Sequence, residues 1–187
     1  MRLTVDDKYS WDFAMLGVGL RYINGVGKPD MLHYVESFGM EGHYDFASNR
    51  GYIWSRTFPL LKRALLLGVG QDNFAYAFPN DDYVGKVNCG FNEQIVTKPH
   101  NMYLQIWVQD GLPALLAFLA LYLLLFGRTI RKCFKKGKWN HSQKISLAFL
   151  CGVSGYFVAG LANDSSICVA PVFWVLFGVA FAVLRNE

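Results

Sequence analysis

Charge is what this chain of 187 residues has least of. Asp, Glu, Lys and Arg make up 17% of it, against 53% hydrophobic and 16% aromatic residues. Soluble domains carry roughly 25% charged residues, so a wholly soluble domain is disfavoured and a membrane protein with a soluble or interfacial front half is favoured. Acidic residues are nearly missing from the back: residues 111–187 hold 2 of the 14, but 8 of the 18 basic ones. Cysteine is sparse, and Cys89, Cys133, Cys151 and Cys168 form no CxxC pair. That excludes a zinc site and a disulfide framework; three of the four lie in or beside apolar segments, where a lone thiol is a small apolar filler. There is no internal repeat or low-complexity tract. Residues 1–30 resemble neither a signal peptide nor a full span, since the apolar run Phe13–Leu20 is short and flanked by Asp12 and Arg21.

Long apolar segments are present further on, at 112–130, 145–162 and 167–184. At about 18–19 residues and 1.5 Å per residue each reaches roughly 27–28 Å, close to the ~30 Å of bilayer hydrocarbon. Gly127, Gly152, Ser154, Gly155, Gly160 and Gly178 offer small surfaces for close helix contact. Between the first two segments cluster Arg128, Arg131, Lys132, Lys135, Lys136, Lys138 and Lys144. Nucleic-acid binding is one account of such a cluster. A cytoplasmic connection obeying the positive-inside rule fits better, because apolar runs flank it.

The expectation is an all-α, polytopic membrane bundle. Residues 1–110 form an extracytoplasmic region of short helices and loops, and 111–187 hold three transmembrane helices with a basic cytoplasmic connection at 128–144. The turn Asn163-Asp164-Ser165-Ser166 is then external and the C-terminus cytoplasmic, placing the protein in the cytoplasmic membrane of a bacterium. An exported front half without an export signal suggests a C-terminal portion of a larger polytopic or split protein.

Local signals divide the front half. Ser48 or Asn49 can cap a helix running through Arg50, Tyr52, Ile53 and Trp54. Pro59 opens another, Leu60–Leu67, stopped by Gly68. Residues 79–90 are turn-rich, Pro99 suits the start of a further helix, and Asp110-Gly111 separates that helix from the first span.

Several residues could carry chemistry. With Pro99 opening a helix, His100 falls in its first turn, where the helix dipole favours a neutral, proton-accepting imidazole and attracts an anion such as a diphosphate. Tyr103, Leu104 and Trp107 come next at helical spacing, an aromatic face for the bilayer interface. The plainer alternative is a histidine that caps or hydrogen-bonds at the membrane surface. Arg50, beside Gly51 and with Arg56 six residues on, can present a guanidinium fork to phosphate; pairing with Asp45 or Glu41 is its plainer role. For Arg56, Lys62 and Arg63 a structural role is favoured. Gly68-Val69-Gly70-Gln71-Asp72-Asn73 lacks the third glycine and Lys-Ser/Thr of nucleotide loops, so it is a tight turn with Asp72 and Asn73 capping the next segment. Asn163-Asp164 is a plain turn, with the Asp164 carboxylate on the same side as His100. No catalytic triad spacing or His/carboxylate metal cluster is visible.

Four motifs in order, Arg50-Gly51-Tyr52-Ile53-Trp54, Leu67-Gly68-Val69-Gly70-Gln71-Asp72-Asn73-Phe74, Lys98-Pro99-His100-Asn101-Met102-Tyr103-Leu104-Gln105 and Gly111-Leu112 before a span, resemble the O-antigen ligase and polymerase-like family over about residues 45–184. The Lys98-Pro99-His100-Asn101 and Pro171-Val172-Phe173-Trp174 forms are most similar to Gram-positive members. The resemblance implies a GT-C-like fold and transfer of a glycan from an undecaprenyl-diphosphate carrier to an acceptor sugar or lipid-linked glycan, outside the cytoplasmic membrane, without metal or cofactor. It implies that Arg50 holds the donor diphosphate and His100 is the base in an inverting transfer, with Arg56, Asp72, Asn101, Tyr103 and Gln105 as substrate-binding candidates. The family has around ten or more spans and a second, upstream arginine without a confident counterpart here. An inactive membrane fragment and a non-catalytic glycan-binding subunit are the alternatives.

Overall fold

The computed structural model describes residues 1–5, 9–17, 19–24, 27–90, 94–134 and 139–185. They group into two compact units, residues 1–63 with 72–97 and residues 64–71 with 98–187. The helix after His100 packs on the first apolar helix, and both belong to the second unit.

The first unit opens with a sheet, which corrects the all-α expectation. Strands β1 (Arg2–Val5), β2 (Tyr9–Leu16), β3 (Gly19–Ile23) and β4 (Pro29–Asp30) pair antiparallel in chain order. The short apolar run is thus β2 turning into β3, with Met15 opposite Leu20. Its aromatic and apolar residues suit a pleated surface, and it is too short for a bilayer helix.

Helix α1 (Phe46–Arg63) differs at both ends from the sequence expectation. Ala47, Ser48 and Asn49 are three successive left-handed residues, with φ of 50°, 60° and 66°. Ser48 and Asn49 therefore do not cap a helix; the Asn49 amide instead donates to the Cys89 carbonyl at 2.8 Å. Gly51 is required at the next turn, because a Cβ there would collide with the His43 carbonyl. Pro59 lies inside this helix rather than opening a new one. Proline has no N–H for the carbonyl four residues back, here Ser55, and the Phe38 N–H takes that carbonyl at 2.8 Å. One external donor lets the helix run through its proline.

Helices α2 (Phe74–Ala77) and α3 (Tyr83–Asn88) complete this unit. The Tyr83 hydroxyl donates to Asp30 at 2.6 Å, and its ring lies 4.6 Å from that of Tyr22, fastening the sheet to α3. Burial, with the Asp30 bond, pushes the Tyr83 phenol up to about 12; the same bond holds the Asp30 carboxyl below its usual range. A raised phenol stabilises fully below its unfolded value of about 10 and loses that contribution as pH climbs through the folded value. The lowered carboxyl stabilises above about 4 and loses its contribution as pH falls through its depressed folded value. In a spectrophotometric titration, Tyr83→Phe will remove a late-ionising phenol. Asp30→Asn will move that phenol back towards 10.

The second unit holds α4 (Met102–Asp110), α5 (Leu112–Cys133), α6 (His141–Ala159) and α7 (Ala170–Arg185). Its core is aromatic: Phe118 stacks on Phe157 at 4.6 Å and Phe173 on Phe177 at 5.4 Å. Among the described residues α5 is the helix long and apolar enough to cross a membrane; α7 is apolar over Ala170–Leu184 but shorter. Three spans are therefore not established by length and composition. At the basic end, Lys132 is buried and donates to Ser142 Oγ at 2.7 Å and to the Val183 carbonyl at 3.3 Å. A cation thus meets the C-terminal turn of α7, where the helix dipole favours it. Asn140 and Gln143 form a capping box at the start of α6. Lys135, Lys136 and Lys138 lie outside the described residues. At the opposite end, the Met102 N–H donates to the Gly160 carbonyl at 2.8 Å, so the α6–α7 turn sits beside α4.

Residues 64–71 strap the α4–α5 junction. Val69 and Gly70 N–H groups donate to the Val108 and Gln109 carbonyls at 2.8 and 2.9 Å. The Gln71 amide donates to both Asp110 oxygens at 2.7 and 2.8 Å. Gly68 lies so close to the Gln109–Asp110 peptide that a Cβ would overlap its backbone. The glycine motif is a structural clasp.

Candidate active site

Chemistry-bearing groups of the second unit converge where α4 begins. His100 precedes the helix instead of occupying its first turn: Asn101 is the N-cap, and His100 has a left-handed φ of 52°. Pro99, buried, sets the approach rather than starting the helix. The His100 ring is half-exposed, and its Nδ1 lies 2.9 Å from Oδ2 of Asp164, whose side chain is only 9% exposed. The turn carboxylate is thus the direct partner of the imidazole, 64 positions away.

The neighbouring motif residues build that pair. The Asn101 oxygen accepts from the Tyr103 and Leu104 N–H groups at 3.0 Å each, and its amide donates to the Leu161 carbonyl at 2.9 Å. The Tyr103 hydroxyl donates to the Phe157 carbonyl at 2.7 Å. Gln105, buried, accepts from the Ser165 N–H at 2.8 Å. With the Met102–Gly160 bond, these contacts clip residues 157–165 to α4 on both sides of Asp164. Asn101, Tyr103 and Gln105 therefore spend polar atoms on positioning.

A cavity of about 560 Å³ opens at the pair, walled by Lys98, His100, Tyr156, Asn163, Asp164 and Ser166 among others. The second Asp164 oxygen, Oδ1, is buried without a hydrogen-bond partner among the described residues, and an unpaired buried acceptor is costly unless something supplies a donor. An apolar groove of about 440 Å³ between α6 and α7 shares Tyr156 and Val169 with this cavity.

Arg50 belongs to the first unit and comes directly after the left-handed segment. Its Nη1 donates to the Ala47 carbonyl at 2.9 Å, whereas Nε is buried without a partner among the described residues. Neither Asp45 nor Glu41 pairs with it among the described residues. One edge of the fork is anchored and another is left over.

Arg56 is placed quite differently. It is buried, donates to Asp82 Oδ2 at 3.0 Å and to Ser55 Oγ at 2.9 Å, and lies 4.8 and 4.5 Å from the Tyr44 and Tyr52 ring centres. Burial alone would lower its pKa, but Tyr44 and Asp82 override that and raise it. Burial, reinforced by Asp82, keeps the Tyr52 phenol protonated well above its usual range. Asp82 also accepts from the Tyr52 hydroxyl at 3.1 Å and caps α3 through the Gly85 N–H at 3.0 Å. Arg56 thus sits in a buried structural network. Asp72 is exposed, at a left-handed φ of 56°, and Asn73 caps α2 by position, without a side-chain cap bond.

The second unit thus combines apolar helices, α5 among them long enough to cross a membrane, with a His–Asp pair just ahead of α4. The O-antigen ligase family profile matches residues 12–119, more than half of the chain, and the protein belongs to that family. Its function is accordingly membrane glycan processing. The match begins within β2, takes in β3, β4, Arg50 and His100, and ends within α5, before Asp164. No curated protein and no solved structure matches the chain.

Proposed function

We propose that the protein transfers a glycan from a polyprenyl-diphosphate carrier to an acceptor hydroxyl, with His100 as general base. The observation that carries this is the 2.9 Å contact between His100 Nδ1 and Asp164. A carboxylate accepting from Nδ1–H fixes the ring and the tautomer, leaving Nε2 bare to take a proton. The acceptor hydroxyl gives its proton to Nε2 as its oxygen attacks the anomeric carbon. The bond from that carbon to the diphosphate breaks on the opposite face, its electron pair leaves on the phosphate oxygen, and configuration inverts.

A diphosphate leaves already ionised, so counter-charge matters more than a second proton donor. Arg50 meets that need in this scheme without a metal ion. A guanidinium fork suits bidentate phosphate recognition, and strain like that of residues 47–49 often accompanies ligand clamps. The α6–α7 groove offers an isoprenoid tail an apolar lane ending at the polar cavity. Arg50→Lys keeps the charge but loses the planar fork. It is expected to cut turnover of an undecaprenyl-diphosphate oligosaccharide by about 10-fold or more, roughly the 1.5–3 kcal/mol of one charged hydrogen bond. Unchanged turnover would remove Arg50 from the site.

In this scheme the basic end is cytoplasmic and the His100 end external, with α5, α6 and α7 all crossing the membrane. A reporter fused in the connection between α5 and α6 will be cytoplasmic, and one at Ser165 external. The reverse pattern would place His100 on the wrong side for an exported carrier.

A further inference from the structure

The first unit contains a second cavity, whose wall takes in Arg56 and Pro59 but neither Arg50 nor His100. It measures about 340 Å³, within the range of small-molecule sites, and lies between residues 33–36, α1 and the α2–α3 connection. Its floor includes Leu60, which is buried, and Tyr34 lines it while remaining 89% exposed. Two ion pairs border the cleft. His33 Nε2 stands 3.2 Å from Asp81, and Glu36 lies 3.9 Å from Lys62. Arg63, also in the lining, makes no ion pair among the described residues.

This mixture restricts what can bind. Two carboxylates oppose a bare phosphate or another anion, and Arg63 opposes a simple cation. A purely apolar ligand would desolvate these charged groups without adding a hydrogen bond to any of them. The lining asks for hydroxyl donors facing Glu36 and Asp81, oxygen acceptors facing Arg63 and His33, and an apolar C–H face against Leu60 and Tyr34. A pyranose ring has all three on one small body.

We infer that this cleft is a glycan subsite, holding a sugar residue of the substrate chain away from the reacting bond. It rests on the glycan-transfer function proposed above, and it adds a place where chain identity is read. The sugar can belong to the donor glycan or to the acceptor, since both present the same chemistry.

The test uses the full chain purified in detergent and a free oligosaccharide of two repeat units, without lipid or diphosphate, from the producing organism's surface polysaccharide. Saturation-transfer NMR and titration give its Kd. Tyr34→Ala and Asp81→Ala are each expected to raise Kd about 10-fold or more, while His100→Asn leaves it unchanged. Tyr34 is exposed, so its replacement does not threaten the fold. In transfer assays, a KM rise confined to the lipid-linked donor assigns the cleft to donor glycan, and one confined to the acceptor assigns it to acceptor. No binding by the wild type, or unchanged Kd and KM in both variants, would overturn the subsite. Loss of transfer in His100→Asn together with unchanged glycan affinity in the cleft variants would sink the subsite alone. Wild-type transfer in His100→Asn would sink the catalytic scheme alone.

Discussion

Asparagine or alanine at position 100 is expected to lower glycan transfer by about 10²–10⁴-fold, the range contributed by a positioned general base. The two replacements separate chemistry from backbone strain. His100 has a φ of 52°, a conformation that asparagine adopts more readily than alanine. His100→Asn therefore keeps the turn into α4 and can still bond Asp164, but it has no nitrogen able to take the proton. Asp164→Asn leaves the imidazole in place with its orientation less firmly set, so its loss should be smaller. Transfer from an undecaprenyl-diphosphate oligosaccharide, measured beside membrane insertion, reads all three. Wild-type rates in His100→Asn would end the base assignment.

The second large effect concerns stability. Asp82→Ala should destabilise the first unit by about 3–5 kcal/mol, the usual consequence of stripping one partner from a buried ion pair. Both side chains of the pair are nearly inaccessible, at 9% for Arg56 and 8% for Asp82. The Tyr52 hydroxyl and the α3 cap would lose their acceptor in the same step. Asp82→Asn keeps an oxygen for the cap and should lose less. The paired replacement Arg56→Met with Asp82→Leu should recover part of the loss, because neither charge is then stranded. Denaturant midpoints of the purified chain would show this order. Equal midpoints for wild type and Asp82→Ala would mean that the network contributes nothing.

These experiments also separate the two arginines that the sequence puts six residues apart. Replacing Arg56 should remove activity together with the folded first unit. Replacing Arg50 should remove activity from a protein that still folds.

The apolar helices are legible in the sequence because hydrophobic runs and the Asp110-Gly111 break carry their own signal, and α5 does begin at Leu112. The sheet escapes a reading that weighs Phe13–Leu20 only as a possible span. The Asn24-Gly25 dipeptide after an aromatic, apolar stretch is an available hairpin signal. Pro59 misleads because a proline that suits a helix start also fits inside a helix where another group covers the missing hydrogen bond, and the Phe38 N–H is not visible in the sequence. Pro99 misleads by two residues, standing ahead of the N-cap rather than after it. At Asn101, by contrast, a plain N-cap preference points to the true start of α4. His100 and Asp164 each stand out as candidates, but a contact across 64 positions obeys no local spacing. The Arg56–Asp82 pair is hidden likewise: no helical or strand periodicity links residues 26 apart.

Irregular chain segments commonly accept extra residues, since little of their backbone is committed elsewhere. The stretch between Ala64 and Gln71 should refuse them. Two of its amides and one side chain are bonded in register to the last residues before the α4–α5 corner. Lengthening it by a single residue would slide that register. A scanning insertion library should therefore find a gap here as sharp as in any helix, in a segment with no regular structure of its own.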